Sequence, residues 1–421
     1  MEVFKDNYFL RTFVERFSSK PWFPIGITTE FTEHGNIGLF EHYNIHTAHG
    51  SLDMLNVENL DKIETFNQIL NQINDFEEFE LWGDLESSEI FENIKITETE
   101  KGIEIFISNS KKSLQGVFHN IPTTSWRRKW SEISDNSNFL IPTAGIQWKG
   151  LDVMVFRFKE ETTTFEWKSE SPATFSEIGK ILGEFHTIML ETLAPRMATE
   201  WNSRLKRLET ITSSGTLWRV PYSKHTDSIR SLGNLTCDDW LMNDGNVCLD
   251  LLHLGYQELG ELITNTNRFS CLRDVASMYV DIDTLSSVSG SDSSEYLRRV
   301  FFESWCKTAP QKWYSKFSLN GNLGGMQIWR YDVELMRFFI AKAFKKSYNK
   351  TWIKNVKDIQ RDLFNYRIIS GSALGMLLSS ATIALLWPGM NLGLKTAILG
   401  TGFVVYFMGM KMYRKTSLPP Y

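Results

Sequence analysis

Asn234, Asp239 and Asp250 gather around one predicted hairpin. A polar turn, Leu232-Gly233-Asn234-Leu235, stands ahead of Trp240-Leu241, and the apolar run Val247-Cys248-Leu249 ends in Asp250. Between them, Asn243-Asp244-Gly245-Asn246 supplies the residues a tight hairpin turn demands, because both central positions need a positive φ. The hairpin would bring two carboxylates and an amide oxygen to one edge. Those are hard oxygen donors of the kind that suit Mg²⁺. Composition alone explains the same residues as ordinary turn chemistry, so both readings stand.

Other candidates are weaker. His42, His46 and His49 would share a face if they lay on a helix and would then suit a metal. The segment lacks a helical pattern, Gly50 closes it and no Cys lies near, so a polar surface stretch is the reading we take. His253 stands alone. Cys237, Cys248, Cys271 and Cys306 form no C-x-x-C pair and read as free thiols in a reducing compartment. No G-x-S-x-G, P-loop or H-E-x-x-H motif is present.

The stretch from Leu232 to Asp250 resembles the catalytic loop of aminoglycoside-phosphotransferase-like kinases, H-G-D-L-x-x-x-N followed by a strand ending in Asp. Gly233, Leu235, the five-residue step from Asn234 to Asp239, and Asp250 carry the match. Within that superfamily the chain is most similar to maltokinase-type proteins. Leu272-Arg273-Asp274-Val275-Ala276-Ser277-Met278 resembles their R-D-V-A-G-M helix. Gly183-Glu184-Phe185-His186 resembles the L-G-x-x-H helix, Trp329 to Phe339 the last helix, and Ser19-Lys20-Pro21-Trp22-Phe23 the R-W-F motif of the cap. The resemblance spans residues 1–360 in order.

It implies ATP and Mg²⁺ as cofactors and a nucleotide and a sugar as ligands, with Asp239 and Asp250 on the metal and Asp250 on the nucleotide side. The chain departs from the pattern at the centre. The family's proton-accepting Asp is Asn234 here, its metal-binding Asn is Asp239, and its loop His is Leu232. An amide does not accept a proton near neutral pH. Asp239 would serve as base only if the metal moved. The expected nucleotide-side lysine is missing from Gly116-Val117-Phe118-His119. Lys111 and Lys112 stand just before that strand, and Glu132 is the candidate acid that such a lysine would pair with. Loss of base and lysine together removes contributions each worth orders of magnitude in rate.

The elements that must hold these residues follow from periodicity. Asn59 to Ile73 reads as a helix, with Leu60, Ile63, Phe66, Ile69, Leu70 and Ile73 on one face. Asp75 to Glu80 reads as a solvated acidic surface. Ile94 to Thr97 and Ile103 to Ile107 alternate as strands, with Glu100-Lys101-Gly102 as a break between them, and Leu151 to Phe158 reads as a further strand. Thr124 to Ser134 reads as a helix. Ile178, Ile181, Leu182, Phe185, Ile188 and Met189 form an amphipathic stripe. Further helices are expected at Leu272–Asp281, Glu295–Lys307 and Trp329–Lys346, and a mobile loop at Ser286–Ser294.

The fold class is therefore α+β. The order fits a two-lobed architecture, which the resemblance implies is protein-kinase-like, with an N-terminal cap expected at 1–88, a strand-rich lobe at 89–165, a helix-rich lobe at 166–360, and a transmembrane hairpin and tail at 361–421. Ile368 to Trp387 carries no charge, Pro388-Gly389-Met390-Asn391 breaks it, and Leu392 to Met410 carries only Lys395. Gly371 and Gly375 have the spacing of a close helix contact. From Arg361 onward six Lys/Arg face one acid, Asp362, which leaves residues 1–360 with a net charge of −10 out of a total of −5. An acidic body argues against nucleic acid as a partner. Basic flanks at Arg361, Arg367, Lys411, Arg414 and Lys415 put the body and both hairpin ends on the cytoplasmic side. Met1 to Asp6 does not open a signal peptide.

Three functions remain open. One is a pseudokinase acting as a binding or assembly module at a membrane. Another is an active ATP-dependent phosphotransferase on a sugar-like hydroxyl, and the third is a structural subunit with a protein partner in a membrane complex.

Overall fold

Period-two alternation builds a sheet wherever one set of side chains can be buried. The computed structural model describes residues 16–124, 126–130, 138–167, 171–195, 198–213, 227–252, 259–260, 262–263, 268–289, 294–316, 318–319, 325–348, 350–415 and 420–421. The chain opens with a meander, β1 (Thr28–Ile37), β2 (Phe40–Thr47) and β3 (Gly50–Val57), followed by helix α1 (Ile63–Gln72). A 3-10 turn at Ile73–Asp75 extends α1, so the predicted helix starts four residues late and ends in a tighter turn.

A six-stranded antiparallel sheet follows. Its strands are β4 (Phe79–Gly83), β5 (Asn93–Thr99), β6 (Gly102–Ser108), β7 (Ser113–Thr124), β9 (Ala144–Trp148) and β10 (Leu151–Phe158), in the spatial order β4-β9-β10-β7-β6-β5. The short helix α2 (Trp126–Trp130) and strand β8 (Phe139–Leu140) lie between β7 and β9 in the chain. β4 takes Phe79 and Glu80 out of the stretch read as acidic surface and pairs them with Trp148 and Gln147. On β6, Ile103, Ile105 and Ile107 are buried while Glu104 and Phe106 reach the other face. β10 is paired on both sides, and six of its eight residues are buried.

The remaining body is helical, with small sheets. β11 (Thr162–Thr164), β13 (Trp240–Asn243) and β14 (Asn246–Asp250) join β8 in a four-stranded sheet, and β12 (Ile229–Arg230) pairs with β15 (Arg268–Phe269). Around them pack α3 (Pro172–Ile188), α4 (Ala198–Ile211), α5 (Leu272–Ser289), α6 (Ser294–Thr308) and α7 (Gly325–Ala343). α3 begins with Pro172, whose missing N–H costs nothing in a first turn. Gly183 is dictated by α6, because a Cβ there would lie 2.8 Å from the Trp305 carbonyl. α5 runs on to Ser289, so the stretch read as a mobile loop is helical over its first four residues; 290–293 lie outside the described residues.

α8 (Lys350–Leu386) continues into the first apolar run and α9 (Leu392–Lys415) forms the second. The stretches Arg367–Leu386 and Leu392–Met412 are long and apolar enough to cross a bilayer, with mean hydropathies of 1.7 and 1.4. The two helices are antiparallel, since Ser370 approaches Met410 and Gly402 packs on Ser380. The close contact uses Gly402 and Gly409 of α9; Gly371 and Gly375 face open space, contrary to the spacing argument. Asn391 caps α9 by accepting from the Leu394 N–H at 2.8 Å.

Where α7 meets α8, Glu334 is 1% exposed. Burial and the nearby Asp283 push its pKa up to about 7, against Arg330, Arg337 and Asn355. Between about 4.3 in the unfolded chain and about 7, the folded state holds a proton that the unfolded chain has released. Stability therefore falls as pH rises through that window and is level above it. Glu334→Gln is expected to raise stability above neutral pH by on the order of 1–3 kcal/mol and to change nothing near pH ~4. Thermal melts across that range check this. An equal gain at both ends would remove the titration from the explanation.

Candidate active site

The hairpin β13–β14 turns at Asp244-Gly245, with φ of 47° and 79°, the conformation that the sequence demanded. Just before it, Cys237–Asp239 forms one 3-10 turn capped by Thr236. The Thr236 N–H and Oγ1 donate to Asp239 Oδ2 at 2.6 and 2.8 Å, a capping box that explains a carboxylate three residues after a threonine. Lys101 Nζ reaches the other oxygen, Asp239 Oδ1, at 2.7 Å. At the end of β14, Asp250 Oδ1 accepts from the Leu252 N–H at 2.9 Å, and Oδ2 faces Arg157 Nη2 of β10 at 3.7 Å.

Asn234 is turned elsewhere. Its Oδ1 accepts from Arg273 Nη2 at 3.2 Å, and Arg273 also donates to the Gly233 carbonyl. Arg273 is itself anchored to Asp332, which it shares with Arg204. The rest of the loop is braced as tightly. Leu232 N–H donates to Asp274 Oδ2 at 3.0 Å, the Cys237 N–H to Asp281 at 2.8 Å, and Ser277 to the Leu235 carbonyl at 2.6 Å. Trp305 Nε1 donates to His186 Nδ1 at 2.9 Å, which leaves the proton on Nε2 to bond Asp274 at 3.2 Å. His186 and Asp274 therefore hold the loop's backbone in place.

A cavity of about 680 Å³ opens under the β5–β6 turn. Thr99, Lys101, Glu104, Gln115, Trp167, Thr236, Asp238 and Asp250 lie in its wall, joined by Asp281, Arg337 and Lys346. Of the sequence candidates, Asp250 lines it, whereas Asn234 and Asp239 do not. Lys101 keeps its charge: burial opposes it, but Asp239, Asp238 and Asp250 outweigh burial and raise its pKa. Burial and Asp250 push the Glu104 carboxyl up, against Lys101. Burial pushes the Cys237 thiol well up, which makes it a poor nucleophile.

Several expectations land elsewhere. Glu132 and His253 lie outside the described residues. Lys112 binds Glu89 at 2.6 Å and the Asp84 carbonyl, and with Lys111 it lines a separate cavity. His42 pairs with Asp53 at 3.0 Å, and His46 lies between Thr32 and Ser51, all on the β1–β3 meander. Among the described residues no group of three or more His, Cys, Asp or Glu is arranged for a metal. The donors around Asp239 and Asp250 do not fit Mg²⁺ either. That ion needs about six oxygens at about 2.0–2.1 Å, while three Asp239 contacts and one Asp250 contact are already protein hydrogen bonds.

Lys101, Arg157 and Arg337 are cations to which the sequence reading gave no role, and Arg273 entered it only as part of a helix motif. Lys101 stood in plain view beside Gly102, but only as part of a turn.

No family model matches the chain, and no curated protein matches it in sequence. Solved structures match in shape. A glucosamine kinase (crystal form B) aligns over 84% of this chain and 100% of its own at a TM-score of 0.50 and 10% identity. A glucosamine kinase in complex with glucosamine, ADP and inorganic phosphate aligns over 80% of this chain and 94% of its own at 0.51 and 10% identity. At that identity the likeness establishes a kinase-like fold.

Proposed function

We propose that this kinase-like fold is anchored at a membrane as a binding or assembly module and does not transfer phosphoryl groups. The observation that carries the reading is Asn234. At the position where the resemblance expects a proton-accepting carboxylate, an amide is fixed to Arg273 and points its oxygen at a guanidinium. Asp239 does not replace it, because Lys101 and Thr236 hold both of its oxygens.

The β5–β6 turn above the cavity is also fastened on three sides. Glu98 pairs with Lys20 at 2.5 Å, Lys101 with Asp239, and Glu100 with Lys346, four residues before α8 begins. The exposed pairs contribute little singly, on the order of 0–1 kcal/mol. Together they tie the cavity's cover to the cap, to the loop and to the connection that leads into the hairpin. This supports a scaffold whose cleft and anchor are mechanically joined, with a protein of a membrane complex as its partner.

A second reading has one observation in its favour. Asp250 lines a cavity of ligand size, and the structural neighbour binds glucosamine and ADP. On that reading the chain is an ATP-dependent phosphotransferase on a sugar-like hydroxyl.

The deciding experiment incubates the full chain in mild detergent with Mg²⁺, ATP and a panel of sugars that includes glucosamine, and follows ADP release. We expect no turnover above background, in wild type or in Asp250→Ala. Turnover in wild type that Asp250→Ala abolishes would establish the second reading instead.

A further inference from the structure

We propose that the cleft is built to work without a divalent cation, with Lys101 and Arg157 as its resident positive charges. This rests on the reading of a cleft that transfers no phosphoryl group, although the two can fail separately.

Carboxylates removed from water need a compensating charge. Asp239 is 0% exposed and Asp250 2% exposed. Each is supplied with its own cation by the strand-rich lobe. Lys101 comes from the β5–β6 turn and sits on Asp239 at 2.7 Å. Arg157 comes from the central strand β10, opposite Gln115 of β7, and lies 3.7 Å from Asp250. Arg157 is 1% exposed, and its Nε, Nη1 and Nη2 make no hydrogen bond. What the guanidinium supplies in this arrangement is a permanent positive charge beside Asp250. The arrangement gives two carboxylates two monovalent cations, one from the β5–β6 turn and one from β10, where a metal site would leave the oxygens open.

The ligating atoms point the same way. To reach Asp239 a metal must displace Lys101 from Oδ1 or break the Thr236 capping box at Oδ2. At Asp250 it must approach Arg157 against like charge and share Oδ1 with the Leu252 N–H. Glu104, the third carboxylate of this group, stands beside both Asp250 and Lys101, and burial and Asp250 push its carboxyl up against Lys101, so it calls for no further cation. The cavity wall holds Glu100, Glu104, Asp238, Asp250 and Asp281 against Lys101, Arg337 and Lys346. With that excess of acid and no metal to offset it, the lining suits an amine-bearing, hydroxylated small molecule better than a nucleoside triphosphate.

The test uses Mn²⁺ as the probe, counted by electron paramagnetic resonance on the full chain in detergent, with thermal melts in Mg²⁺ and in chelator beside it. Wild type is expected to leave Mn²⁺ free and to melt alike in Mg²⁺ and chelator. Lys101→Met keeps the apolar stem, removes the ammonium and frees Asp239 Oδ1, so it is expected to bind Mn²⁺ roughly tenfold tighter than wild type. Wild type binding Mn²⁺ as tightly as Lys101→Met, or neither binding it, would overturn the proposal. Should Lys101→Met fail to fold, wild type alone decides: a bound Mn²⁺ population that Asp250→Asn removes overturns it, and none supports it. Metal binding without ATP turnover sinks this inference and spares the proposed function. Turnover in chelator does the reverse.

Discussion

Asp332→Ala is expected to lower the stability of the soluble body by about 3–5 kcal/mol, the range for removing one partner from a buried ion pair. Asp332 lies in α7 and is 0% exposed. Its Oδ1 accepts from Arg204 Nε at 2.6 Å and its Oδ2 from Arg273 Nε at 2.5 Å. Arg204 and Arg273 are 3% and 1% exposed, so alanine leaves two uncompensated guanidiniums without water. The damage reaches the loop, because Arg273 is what holds Gly233 and Asn234. The carboxyl's own titration checks the argument. Burial alone would raise it, but Arg204 and Arg273 override burial and hold it below the usual range. A depressed folded-state pKa contributes stability above the unfolded value of about 3.9, lost as pH falls through the folded value. Urea unfolding of wild type and variant should therefore differ most near neutral pH and converge in acid. A difference under about 1 kcal/mol at neutral pH would mean that the two arginines find other partners, and the triad would not be the anchor described.

What was legible in the sequence is what local rules decide. The β13–β14 turn followed from Asp244-Gly245, and β10 was read to the residue as a strand from its apolar run. The α3 stripe followed from helical spacing, and Gly183 in it marks the close approach of α6. What stayed hidden depends on pairs far apart in the chain. Lys101 and Asp239 are separated by 138 residues, and nothing local to either announces the other. Arg157 sat inside a strand whose residues from Asp152 to Arg157 are all buried, and nothing local marked it as the partner of Asp250. The Thr236-x-x-Asp239 spacing was visible as a capping signature, yet the likeness to a kinase loop drew Asp239 toward a metal instead. The histidines failed as a set for the opposite reason. A helical spacing of 42, 46 and 49 has no meaning on a β-hairpin, where His42 and His46 each find a separate strand partner.

Removing residues 361–421 is expected to shift the protein from the membrane fraction to the soluble fraction, the largest change of behaviour any single alteration should cause. A core helix of a soluble protein is mostly covered. Here the two apolar stretches are 11% and 6% buried. Leu385, Leu386, Phe407 and Met408 are 73%, 75%, 64% and 61% exposed, so the hairpin turns large apolar side chains outward, while Ala373, Ala384 and Gly409 lie inward. Left in water, that surface would cost about 25 cal/mol per Å²; in lipid the cost vanishes. The body's core closes without the hairpin; among the described residues the cut removes the Tyr279 hydroxyl bond to Pro420, the Tyr421 contact with Phe302 and the Arg361–Asp358 pair at 3.0 Å. Carbonate extraction of the full chain and of residues 1–360 makes the comparison. A full chain that is monodisperse in buffer without detergent would defeat the idea. Leu378→Arg gives a finer reading, because an arginine in mid-span costs about 2.5–3.5 kcal/mol on insertion while leaving the body untouched. Antiparallel helices add one further constraint: α8 enters and α9 leaves on the body's side, so a cysteine placed at Gly389 in the connecting turn should react only with a label supplied from the opposite side. Labelling from the body's side would show that the hairpin lies along the membrane surface instead of crossing it.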